Sequence, residues 1–409
     1  MLISLILLCL IAFGGLGLTY LVTDDETSMW RLAVGNIVGS AVFGLASFLL
    51  AMGFGLSPAT AGMALVITAS PLLLLRRQPI AGNFRHDWAK AKGKFQGGNL
   101  KRFAGFGYYA FFFVLFWFFF GQAMYTTSQG LFTGGTNNLG DLPFHLGAIF
   151  SFTDGANFPP QNPSFAGAKF SYPFIADLLT ACYMKLGADV ENAMFVQNVS
   201  WAFSLVVILE RFTVKLTGSK LAGRIAPFLL IFSGGLGFVG FFKDYWAQTK
   251  GLWDLIWSLP RDYTISDDLR WGNSMITLFI TQRSLLLGMP LTIAVLGYLW
   301  RVFQRENDET GVTEDLRKGK FEKVPTEPAP GFFTFSLFPF SAFAVGLLAG
   351  MLPLIHLHSL AVLFAVTGCL FLFKPSEWRS WLAFGVGVCV IAVPEIIWSA
   401  TGTAAETGK

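Results

Sequence analysis

The stretch KFSYPFIADLLTACYMKLG, residues 169–187, decides how this chain is threaded. It is the body of a weak apolar run near 168–186 that opens around a proline and carries Asp177. If the run crosses a bilayer, every later segment changes sides. Soluble domains carry about 25% charged residues, so a chain of 409 residues with 54% hydrophobic and 13% charged side chains is built for lipid.

Ten stronger runs are long enough to span: 2–22, 33–54, 57–75, 103–124, 191–213, 220–242, 276–300, 332–353, 357–373 and 380–400. The first lacks the basic flank and small-residue cleavage site of a signal peptide and reads as a retained helix. Basic residues collect on the cytoplasmic side of membrane proteins. Segment 76–102 carries Arg76, Arg77, Arg85, Lys90, Lys92, Lys94, Lys101 and Arg102 against the single acid Asp87. Segments 211–224 and 301–323 are also rich in Lys and Arg. Only one crossing between residues 125 and 211 puts all three inside, and 191–213 is the better candidate for it. The 168–186 run is then expected to lie on the outer surface as an interfacial helix.

The expected fold is therefore an all-α polytopic membrane protein of about ten transmembrane helices, with interfacial helices in a long first external loop. Three helices occupy 1–75 and a basic cytoplasmic loop 76–102. A core spans 103–300 with external loops at 125–190 and 243–275, a cytoplasmic loop fills 301–331, and membrane helices complete 332–409. The halves show no convincing repeat, which disfavours an inverted-repeat transporter. SGGLGFVG at 233–240 lacks the Lys-Ser/Thr of a phosphate loop and reads as a kink or a close helix contact. The cysteines Cys9, Cys182, Cys369 and Cys389 are widely spaced and form no metal motif. No basic cluster is interleaved with aromatics, so nucleic acid is not an expected partner.

This threading collects polar residues at the outer boundary. They include His145, His356 and His358, with Asp141, Gln282, Arg283 and Glu395. Ionisable groups near the hydrocarbon are costly and often mark functional sites. Asp141 and His145 are four apart and share a helical face; Asp141 also suits the cap of a helix beginning at LPFHLGAIF. Arg283 beside Gln282 suits a bidentate phosphate clamp. Lys169 and Tyr172 open the surface helix, on which Asp177 is expected to face water. His356 and His358 are two apart, so only an extended backbone brings them together. Glu395 is expected to pair with Arg283 or a histidine, and Asp154 to serve a turn.

A basic flank, an exiting helix and a long external loop with an acid near its start together resemble the GT-C superfamily of membrane glycosyltransferases. Protein mannosyltransferases and aminoarabinose transferases, which use polyprenyl-phosphate sugars, are members. The likeness is best over 100–240, where KFSYPFIADLLTACYMKLGADVENAMFVQNVSWAF matches the family's proline-led surface helix and following span. It implies a GT-C-like fold and sugar transfer from a lipid-linked donor on the external face of the plasma (inner) membrane. It also implies Asp141 as catalytic base, with His145, Lys169, Tyr172, Gln282, Arg283, His356, His358 and Glu395 contacting substrate. Many relatives have an Asp-Glu pair where this chain has Asp141-Leu142; a divalent cation (Mg or Mn), if one serves, falls to Asp141. Relatives continue beyond the position of TGTAAETGK, so the resemblance reads the chain as a fragment. The rival class is a transporter or flippase of a lipid-linked or polar substrate.

Overall fold

The computed structural model describes residues 1–23, 26–95, 100–135, 137–165, 167–249, 251–266, 269–317 and 339–401. It is an α-helical bundle. Two short antiparallel hairpins, β1 (Tyr125–Thr127) with β2 (Gly130–Phe132) and β3 (Ile265–Ser266) with β4 (Leu269–Arg270), decorate it. Among the described residues, eight helical segments are long and apolar enough to span a membrane, or nine if one bent pair counts as a span. That is fewer than the ten expected. The run at 332–353 begins outside the described residues, and its described part is the 11-residue helix α13, Phe340–Gly350.

The chain begins with a hairpin of α1 (Leu2–Val22) and α2 (Ser28–Phe54). A Cβ on Gly15 would run into the backbone of Gly35 and Gly39, so the two helices meet backbone to backbone. Small residues allow this approach in lipid, where dispersion contacts replace the hydrophobic drive. The third span joins α3 (Pro58–Ala69) to a 3₁₀ turn at Ser70–Arg76. Then comes α4 (Ile80–Phe95), a helix where the sequence suggested only a loop. The single acid of that basic segment pins it. Asp87 Oδ2 accepts hydrogen bonds from Arg31 Nε at 2.9 Å and the Tyr20 hydroxyl at 3.0 Å, and Arg31 is fully buried.

Helix α5 (Leu100–Ala123) follows, and its Phe106, Phe113 and Trp117 are exposed as a lipid-facing surface requires. Among the described residues, the helices between it and α8 (Val190–Thr217) are α6 (Asn138–Thr153) and α7 (Ile175–Lys185). Neither is a candidate span, which agrees with the single crossing deduced from charge. The expectation for α7 needs correction in another respect. All of its residues from Ile175 to Tyr183 are buried, Asp177 included, so it is enclosed by α2, α6 and α8 and does not lie along a surface. Helix α8 is the centre of the bundle, with 72% of its apolar window buried against 22% for α5.

The run at 220–242 is broken, as its glycines suggested. α9 (Lys220–Phe232) and α10 (Gly237–Ala247) meet at 71°. A Cβ on Gly237 would strike the carbonyl of Tyr263, so the break also seats the following loop. α11 (Leu252–Trp257) and a π turn at Met275–Phe279 lead to α12 (Arg283–Arg317). After α13, α14 (Leu352–Phe373) and α15 (Trp378–Ala400) close the bundle. Contacts place like with like at the two ends. Lys374 Nζ donates to the Phe303 carbonyl at one end, and Lys169 Nζ donates to Thr401 Oγ1 at 2.7 Å at the other.

Candidate functional site

Four elements meet at the end of the bundle opposite α4. Helix α6 starts at Asn138, whose Nδ2 donates to the Ala123 carbonyl at 3.0 Å and so ties the helix to the end of α5. Asp141 is thereby inside the first turn and not the cap: the helix begins four residues earlier than LPFHLGAIF suggested. Its carboxylate is exposed. One turn on, His145 is buried, only 3% exposed.

His145 is held from both sides. Nδ1 lies 2.8 Å from Asp177 Oδ2 and Nε2 lies 3.0 Å from the Thr281 carbonyl oxygen. A carboxylate and a carbonyl only accept, so each ring nitrogen must carry a proton and the ring is an imidazolium. Burial opposes that charge. The charge and hydrogen bond of Asp177, with the bond to Thr281, outweigh it even against nearby Arg283, so the His145 pKa is raised above the ordinary histidine value.

The other Asp177 oxygen, Oδ1, accepts from Arg283 Nη1 at 3.0 Å. Three of the other four guanidinium protons are engaged as well. Nε donates to Asn198 Oδ1 at 3.1 Å, and Nη2 donates to Thr180 Oγ1 and Gln197 Oε1, each at 2.9 Å. A buried ion pair is tolerated only with such extensive hydrogen bonding. Two cations share one carboxylate here, which leaves the triad one positive charge in excess. Glu191, whose Oε2 accepts from Thr126 Oγ1 at 2.6 Å, lines a small cavity together with His145 and Arg283.

Two expectations fail on this geometry. Asp177 does not face water; it is 1% exposed and joins α7 to α6 and α12. Arg283 is not an open phosphate clamp, because Asp177, Asn198, Thr180 and Gln197 already occupy its donors.

Around this buried triad lie the more accessible groups. The Tyr172 ring sits 6.3 Å from that of His145 and 4.9 Å from that of Phe144, and its hydroxyl lies near Ser284, the residue after Arg283. Burial, with Asp177 and Asp141 nearby, raises the Tyr172 pKa, so the hydroxyl stays protonated. Tyr172 is thus within electrostatic reach of both exposed Asp141 and buried Asp177. Gln282 is half-buried at the turn before α12.

The remaining candidates belong to a neighbouring group built on α14 and α15. His356 departs from helical geometry at φ −161°, ψ 93°, and this extended step brings its ring within 5.5 Å of that of His358. Its Nδ1 lies 2.8 Å from Ser359 Oγ. Its Cβ packs on Gly288 of α12, where any larger side chain would collide. Gly288 is five residues after Arg283, about 7.5 Å along the helix axis. Glu395 bonds neither Arg283 nor a histidine, contrary to expectation; its Oε2 accepts from the Leu354 backbone N–H at 3.1 Å. A carboxylate at the amino end of α14 satisfies an otherwise orphaned donor. Lys169 lies 4.2 Å from the Trp398 ring centre, and Trp398 Nε1 donates to the Phe170 carbonyl, so the segment before α7 is strapped to the end of α15.

The donor set does not suit a resident divalent cation. Asp141 has Leu142 where a second acid would help, and among the described residues no three His, Cys, Asp or Glu side chains gather to hold an ion. Compared with family models, curated proteins and solved structures, the chain matches none.

Proposed function

We propose that this chain is an integral membrane glycosyltransferase that moves a sugar from a polyprenyl-phosphate donor to an acceptor at the external face. One observation carries the reading: an exposed carboxylate, Asp141, stands one helical turn from a buried His145–Asp177–Arg283 triad with an excess positive charge. A base for an acceptor and a field that favours a departing phosphate are what the reaction requires.

In this scheme the acceptor O–H gives its proton to Asp141 as its oxygen bonds the anomeric carbon. The bond from that carbon to the phosphate oxygen breaks, and polyprenyl phosphate leaves with the electron pair. His145 and Arg283 are positioning residues. They act through their charge. Tyr172, Lys169 and Gln282 are the groups that reach the lipid phosphate. No step is routed through a metal.

A transporter or flippase is the second reading, favoured by the interrupted helices α9–α10 and α14. A photoactivatable polyprenyl-phosphate sugar distinguishes the two. Transfer predicts cross-links near Asp141 and Tyr172 and release of sugar from the lipid, whereas transport predicts the donor recovered intact on the opposite leaflet.

A further inference from the structure

The bundle contains an apolar cavity of about 260 Å³ that the proposed reaction does not use. It lies between α1, α2, α12 and α13, walled by Val38, Val42, Leu291, Val295, Val345 and Leu348. Leu21 and Phe340 also line it and are 38% and 49% exposed, so it opens on the side of the bundle. Apolar cavities of roughly 150 Å³ already stay dry and accept small hydrocarbons. A larger one open to the bilayer takes hydrocarbon from it. A helix, about 10–12 Å across with its side chains, is too wide an occupant.

One end of the cavity differs from the rest. Thr19, Thr23, Tyr298 and Arg301 line it there. Beside them buried Glu26 is shared by two cations, Arg211 at 3.0 Å and Lys215, and Arg301 acts electrostatically on Lys215. Among the described residues, two cations share this one carboxylate at the mouth of an apolar slot. This is the end that carries α4, remote from Asp141. Along α8 alone, Asn198 and Arg211 are separated by about 20 Å.

We propose that this cavity binds one anionic phospholipid, with an acyl chain between α1 and α13 and the phosphate beside Arg301 and Lys215. Basic pockets between membrane helices recognise such headgroups.

Trp30 lines the cavity and reports on it. The full-length protein in detergent is titrated with brominated phosphatidylglycerol or brominated phosphatidylcholine, and the part of the fluorescence lost in Trp30→Phe is followed. The expected result is saturable quenching at one site, with phosphatidylglycerol preferred by about fivefold per basic residue engaged. Arg301→Gln should lower that preference without altering the slot. Ala294→Phe should abolish Trp30 quenching by both lipids while the thermal midpoint is retained. Inorganic phosphate should not compete, because the chain supplies the attachment; full competition would overturn the proposal in favour of a free-anion site. Equal quenching by both lipids, unchanged in Arg301→Gln, would overturn it in favour of ordinary annular contact. If Ala294→Phe does not fold, the lipid preference of Arg301→Gln against wild type decides alone.

Discussion

Asp177→Asn removes one charge and keeps the shape of the side chain, and its cost follows from the partners of Asp177. Both oxygens are engaged, Oδ1 with Arg283 at 3.0 Å and Oδ2 with His145 at 2.8 Å, and all three residues are at most 3% exposed. An asparagine leaves two buried cations uncompensated and turns an N–H toward one of them. Breaking a buried pair by removing one partner costs about 3–5 kcal/mol. The two pairs share a carboxylate, so their costs do not add; the upper part of that range is expected. For 409 residues at ordinary specific entropies of unfolding, this lowers the thermal midpoint by about 4–6 °C. Scanning fluorimetry of the detergent-solubilised protein at one heating rate reads the shift. Asp177→Asn combined with Arg283→Met removes the stranded guanidinium and should recover about 2 kcal/mol relative to the sum of the single changes. A midpoint within about 1 °C of wild type for Asp177→Asn, or a double variant no better than additive, would refute the ionic account of the triad.

Further outcomes follow from the same geometry. Because the folded-state pKa of His145 is raised, its contribution to stability is full below the unfolded value near pH 6.5 and is lost as pH rises through the folded value; wild type should lose stability over that window and His145→Gln should not, in midpoints measured against pH. Asp87→Ala strands buried Arg31 and releases α4, at about 3 kcal/mol or more; limited proteolysis should then cut within Ile80–Phe95 at a protease level that spares wild type. Glu395→Ala leaves the Leu354 N–H without its acceptor and should cost about 1–3 kcal/mol, whereas Glu395→Gln, which still accepts, should cost less in the same melting assay.

Much of the threading was legible in the sequence because it rests on local quantities. Charge density in 76–102 and apolar length placed a single crossing, α8, between residues 125 and 211, and the glycines at 233–237 foretold the break between α9 and α10. The site was legible only in its membership. His145, Tyr172 and Arg283 do converge, yet the residue that organises them, Asp177, read as a water-facing acid on a short amphipathic run. Its partners are 32 and 106 residues away, and pairings at that separation leave no local pattern. Asn198, Gln197 and Thr180 were missed for the same reason: each looks like an ordinary polar residue within an apolar helix until Arg283 is placed against it. The helical nature of α4 was hidden by its charge, since Asp87 is a lone acid among bases until Arg31 and Tyr20 reach it from the first hairpin.

The central claim is tested most directly by turnover. The purified full-length protein is given a radiolabelled polyprenyl-phosphate sugar with a membrane-derived acceptor pool, and released polyprenyl phosphate and labelled product are counted for wild type and Asp141→Asn. The account predicts product with wild type and a rate lower by about 10²–10⁴-fold in the variant, the range of a lost general base. Product formed equally by both would remove Asp141 from the chemistry, and donor returned intact by wild type would contradict the proposed transfer itself.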